Sequence, residues 1–153
     1  LHPDNRRQRQ MCIRDRDHAP HTWDEKNQIY SKAPAGLPLV QHGMQILMDF
    51  YHQDVLSLET IVQKTSHNVA NRFQIKDRGY IREGYYADLA VLDIDKPYTV
   101  SDDNILYKCG WSPFNGHTFQ SSIFMTIVNG NIAFKDGQVA EDLPFGMQIE
   151  FDR

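Results

Sequence analysis

Apolar positions are spaced helically in the first half of the chain and alternate in the second. Val40, Met44, Leu47, Met48 and Tyr51 fall at i, i+4, i+7, i+8 and i+11, which lays one apolar stripe along a helix. A second helix is predicted to start at Ser57, with Glu59 in its first turn. Serine caps a helix N-terminus through its hydroxyl, and the helix dipole favours a carboxylate there. Leu58, Ile61, Val62, Thr65 and Val69 form the predicted buried face of this helix. From about residue 80 the period shortens towards two. ADLAVLDI (87–94) alternates Leu89 and Val91 with small or polar neighbours and then turns apolar on both faces, the pattern of a strand covered on both sides. IFMTIVNGNIAFKDGQVA (123–140) reads as three strands separated by Asn129-Gly130 and Asp136-Gly137. Both dipeptides tolerate the positive φ angles that type I′ hairpin turns require.

Two stretches lack such periodicity. Residues 17–36 read as a loop, broken by Pro20, Pro34 and Gly36. Residues 1–16, LHPDNRRQRQMCIRDR, carry five arginines and little apolar patterning, the composition of a basic tail or arm.

Composition narrows the class. With 153 residues, 41% of them hydrophobic and 24% charged, the chain has the size and content of one globular domain. A net charge of −4 gives no reason to expect a nucleic-acid or anionic-membrane partner. No apolar run approaches the roughly 18 residues of a membrane span. Cys12 and Cys109 are too few for a disulfide framework and lack ligand spacing, so free thiols in a reducing cytoplasm are expected.

The candidate chemistry lies in RDRDHAPHTWDEK (14–26). An aspartate beside histidines can ligate a divalent metal, and a carboxylate near a metal-bound water can carry its proton. Spacing alone leaves this open, because Asp17, His18 and His21 also suit a polar turn. The other histidines are scattered. His42 and His52 lie on or beside predicted helices, where solvated or capping roles are expected.

DHAPHTWDEK resembles the signature of the dihydroorotase family within the amidohydrolase superfamily. Three further stretches are similar to that family in the same order. KAPAGLPLVQHGMQILMDF resembles a glycine loop and the last barrel helix. TSHNVANRFQIKDRGYIREGYYADLAVLD resembles a helix end followed by a G-x-I-x-x-G-x-x-ADL hairpin. KCGWSPFNGHTFQSSIFMTIVNGNIAFKDG resembles the closing β segment. The resemblance implies an α/β chain, the C-terminal part of a (β/α)₈ barrel over residues 17–80. The antiparallel strands of a flanking β-sandwich follow over residues 81–153.

What the resemblance implies for function is reversible hydrolysis of the cyclic amide of dihydroorotate to N-carbamoyl-aspartate, a step of pyrimidine synthesis. Asp17 matches the aspartate that ligates the metal, zinc, and acts as acid and base. His21 matches a histidine that helps hold the substrate carboxylate. Ala35 and Gly36 match a loop whose backbone contacts the ring, with Ala35 standing where many relatives have Phe. Absence of a Cβ at Gly36 lets backbone approach a ligand closely. The implied partner is this small-molecule substrate, with the complete enzyme free to form homo-oligomers.

Departures from the family pattern shape the expectation further. The family aspartate follows a buried apolar strand, whereas Arg14-Asp15-Arg16 precede Asp17. Three charges cannot line a barrel interior without a large desolvation cost, so residues 1–16 are expected to be an atypical leader, with a native basic tail as the alternative. The His-x-His pair, the carboxylated lysine and the later metal histidines of the family are not in the sequence, leaving Asp17 alone of its ligands. Three classes follow: an inactive C-terminal part of a dihydroorotase, a catalytically dead relative serving as a structural partner, and an unrelated basic-armed binding module.

Overall fold

In the computed structural model, residues 18–141 and 146–152 are described; the leader 1–16 and Asp17 lie outside them. Four short helices come first, α1 (Trp23–Lys26), α2 (Gly43–His52), α3 (Leu58–Val62) and α4 (Asn68–Phe73), with a π-helical turn, Gln63–His67, joining the last two. Six strands follow: β1 (Leu89–Asp93), β2 (Tyr98–Thr99), β3 (Thr118–Phe119), β4 (Ser122–Val128), β5 (Asn131–Lys135) and β6 (Gln138–Val139). The chain is therefore α/β with an antiparallel β half.

Helix α1 lies inside the stretch expected to be loop. Thr22 and Glu25 form a reciprocal capping box, the Thr22 N–H donating to Glu25 Oε2 at 2.7 Å and the Glu25 N–H to Thr22 Oγ1 at 3.4 Å. The T-x-x-E signature was present in the sequence. Those bonds from Thr22 hold the Glu25 carboxyl below the usual carboxylate range. Helix α2 begins three residues beyond the start of its apolar stripe, which leaves Val40 exposed while Met48 is buried.

Ser57 caps α3 as expected, accepting from the Thr60 N–H at 3.2 Å. The predicted single helix is interrupted at the π turn, where the Thr65 hydroxyl donates to the Ile61 carbonyl at 2.8 Å. An extra residue in a turn rotates the faces that follow it. Ile61 and Ala70 are buried, whereas Val62, expected on the buried face, is exposed. The Ile75 N–H closes the end of α4 on the Ala70 carbonyl at 2.9 Å, a Schellman-type bond. The chain then turns back at Gly79, where φ is +83° and a Cβ would meet Ala70 Cβ at 2.5 Å. Glycine is required there for both the backbone angle and the space. Residues 79–88 form turns rather than a paired hairpin.

The sheet runs β1-β4-β5-β6, each pair antiparallel. Both hairpin turns fall where the dipeptides placed them, with φ of +49° and +81° at Asn129 and Gly130 and of +50° and +85° at Asp136 and Gly137. Strand β1 differs from expectation, since none of its residues is fully buried and Ala90 is exposed. Its register on β4 shifts between Val91 and Leu92, a bulge that spoils strict alternation.

The buried centre lies under α2 rather than on the large sheet. β2 pairs with β3 through Tyr98–Phe119 and Thr99–Thr118, and Val100, Phe119, Ser121 and Pro38 are almost wholly enclosed. Helix α2 is fastened to this region by polar contacts of Asp49 and His52. The Gln120 N–H donates to Asp49 Oδ1 at 3.0 Å, and His52 Nε2 lies 2.9 Å from Ser121 Oγ.

Candidate active site

His21 sits in the turn that leads into α1, its N–H bonded to the Ala19 carbonyl at 2.9 Å. Helix α1 aims Lys26 at the following loop, where its ammonium donates to the carbonyls of Pro34 at 2.6 Å and Gly36 at 3.0 Å. The Ala19 N–H reaches the Leu37 carbonyl at 3.1 Å. These three bonds hold the His21 turn against the Ala35–Gly36 loop, so the two described stretches singled out in the sequence lie side by side. Gly36 has φ +87°, a left-handed conformation that glycine adopts without steric cost. Ala35 is exposed and Gly36 half-buried. His21 Nδ1 lies 4.0 Å from Glu25 Oε2, a pair that becomes ionic when the imidazole is protonated.

A segment from the β half closes over this turn. The Trp111 indole N–H donates to the His21 carbonyl at 2.8 Å, and Trp23 meets the Trp111 ring edge-on at 5.6 Å. His18 is exposed, with its ring 5.2 Å from that of Tyr107. Neither Trp111 nor Tyr107 was singled out from the sequence, although Trp111 lies in a stretch similar to the family. Lys26 was missed as well.

His42 departs furthest from expectation. It is 0% exposed, stacked on Phe119 at 5.7 Å and ringed by Tyr98, Tyr107 and Phe114. Nδ1 lies 3.5 Å from Ser112 Oγ, while Nε2 has no hydrogen-bond partner. Burial pushes its pKa down from 6.5 to about 4, so the imidazole is neutral. His52 is exposed and caps no helix end: its Nε2 also faces the Ile94 carbonyl just past β1, at 3.0 Å.

Asp17, assigned to catalysis and to the metal, lies outside the described residues. Among the described residues no three His, Cys, Asp or Glu side chains gather as a metal would need. His67 stacks on Tyr80 at 4.2 Å and His117 lies 3.4 Å from Asp49, each engaged away from the His21 turn. The donors among the described residues do not make a zinc site by themselves. Cys109 is a free thiol, and no helix among the described residues is long and apolar enough to cross a membrane.

Residues 40–134 match the model of the amidohydrolase family, and the chain belongs to that family. The chain is 36% identical over 123 residues to the dihydroorotase of Pyrococcus abyssi, covering 80% of this chain and 29% of that protein. It is 34% identical over 134 residues to the allantoinase of Desulfitobacterium hafniense, covering 87% of this chain and 30% of that one. The fold is likewise shared with a D-hydantoinase (dihydropyrimidinase) from Thermus sp., with a TM-score of 0.73 and 24% identity over 82% of this chain and 29% of the hydantoinase. The chain thus spans less than a third of the length of these relatives.

Proposed function

We propose that the protein containing this chain is a dihydroorotase, opening the ring amide of dihydroorotate to N-carbamoyl-aspartate and closing it in reverse. Residues 17–80 would contribute the end of the catalytic barrel and residues 81–153 part of its β-sandwich. His21 holds the substrate carboxylate, Ala35 and Gly36 offer backbone to the ring, and Asp17 moves a proton from the attacking water to the departing ring nitrogen. One carboxylate serving as base and then acid is economical, since the proton it accepts is the one the leaving group needs.

The observation that carries this reading is the bonding of the His21 turn to the Ala35–Gly36 loop through Lys26 and Ala19. That bonding supports the reading because it keeps His21 and the Gly36 backbone near each other, as recognition of a small cyclic acid by both would require. Zinc, with Asp17 among its ligands, belongs to the same proposal; the remaining ligands would have to come from outside this chain. The chain alone is therefore expected to be inactive.

Hydrolysis of allantoin is the second reading, favoured by the allantoinase match over 87% of the chain. The discriminating experiment compares dihydroorotate, allantoin and hydantoin as substrates of the full-length protein. The expected kcat/KM for dihydroorotate exceeds the others by about a hundredfold, because a site built to bind a carboxylate leaves a polar group unpaired with a neutral ring. Preference for allantoin or hydantoin overturns the assignment. A full-length protein inert towards all three points to the structural-partner alternative.

A further inference from the structure

The bond from Trp111 to the His21 carbonyl joins residues 90 positions apart. An indole N–H in a half-buried place must find an acceptor, and this one finds the backbone of the residue assigned to the substrate carboxylate. Because the His21 N–H is already bound to Ala19, both polar backbone groups of His21 are engaged. Its Cα–Cβ direction is thereby fixed, leaving only side-chain rotation free.

The segment bearing Trp111 is itself tied down next to the site. Gln41, just ahead of α2, engages it three times. Its N–H donates to the Tyr107 hydroxyl at 2.9 Å, its Nε2 donates to the Asn104 carbonyl at 2.8 Å, and its Oε1 accepts from the Leu106 N–H at 2.8 Å. Trp23 braces the indole from the helix that follows His21.

We propose that Trp111 is a positioning residue for substrate binding, acting through His21 by fixing the backbone from which the imidazole projects. The β half of the chain thereby contributes to the affinity of a site that it does not line. This rests on the reading of His21 as the carboxylate-binding residue, and the experiment separates the two.

In the full-length protein, Trp111→Phe keeps an aromatic ring and removes the N–H. The expected result is a KM for dihydroorotate raised about five- to tenfold with kcat within about twofold, the scale of one lost hydrogen bond felt in ground-state binding. His21→Ala should raise KM more, and adding Trp111→Phe to it should raise KM no further, since the residue acts through His21. An unchanged KM in Trp111→Phe beside a raised one in His21→Ala overturns the proposal, as does full additivity in the double variant. An unchanged KM in His21→Ala removes the underlying reading and the proposal with it. A measurement on the unaltered protein covers a misfolded variant: with ¹⁵N-labelled tryptophan, the Trp111 indole resonance should move on titration with N-carbamoyl-aspartate, and an unmoved resonance overturns the proposal.

Discussion

Asp17→Asn in the full-length protein should lower kcat at least about a hundredfold, since an amide of nearly the same shape cannot accept a proton. Steady-state kinetics would check it, and near-normal turnover would remove Asp17 from its assigned role. His42 instead bears on stability. Its folded pKa is about 4 against an ordinary 6.5, and the Tyr98 and Tyr107 rings that face it are kept neutral, their pKa values raised by burial. The folded state therefore resists a proton that the unfolded chain accepts. The stability His42 permits is complete above about pH 6.5 and is lost as pH falls towards 4, amounting to about 2 kcal/mol at pH 5. Urea unfolding of the full-length protein at pH 7.5 and pH 5 should show this loss, and His42→Phe should remove most of it. A variant with the same pH slope as the parent would clear His42 of the effect.

At the scale of elements, glycines with one backbone angle separate strain from crowding. Gly79 and Gly84 have φ of +83° and +81°, yet a Cβ at Gly84 meets nothing within 4 Å while one at Gly79 overlaps Ala70. Gly84→Ala should cost only the left-handed strain, about 1 kcal/mol. Gly79→Ala should cost about 3 kcal/mol or more, because Ala70 lies in a closed helical turn that must shift. Equal losses in denaturant unfolding would show that the turn at Gly79 yields freely. Ser57→Ala removes the hydroxyl that caps α3 and should cost about 1 kcal/mol. These positions were unequally legible. The Ser57 cap and the two Gly-containing hairpin turns declare themselves within four residues of sequence, whereas the need for glycine at 79 arises from a helix nine residues away and appears only once the chain has folded back.

For the molecule as a whole, burial is thin. Met48, Ile61, Ala70, Val100 and Phe119, with Pro38, are the buried apolar side chains among the described residues, while Ile81 at 88%, Val40, Phe50, Val55 and Phe73 lie exposed. Each large apolar side chain left in water forgoes roughly 1.5–3 kcal/mol of burial, against a net stability of about 5–15 kcal/mol for a typical domain. Expressed alone, the 153-residue chain is expected to associate or pack loosely, with fast hydrogen exchange across helices α2 to α4 as well as along the sheet edges. Strong, uniform protection across those helices in a monomer would contradict this. Among the described residues β1 also has a neighbour on one side only, an open edge of the kind that recruits further strands.

Local grammar was legible along the chain before any fold was known. Apolar period, N-cap and turn chemistry act over a few residues, through backbone preferences that need no tertiary partner, and so the order of helices before hairpins, the cap at Ser57 and both type I′ turns were readable in advance. Motif similarity extended that reading to the amidohydrolase family. Which polar residue is enclosed, and which remote residue reaches the His21 turn, was settled by long-range packing. His42 is buried because aromatic rings from residues 98–119 close around it, and Trp111 meets His21 because Gln41 ties the arm beneath it. Such pairings depend on how distant segments pack, and the spacing of residues along the chain carries no record of that.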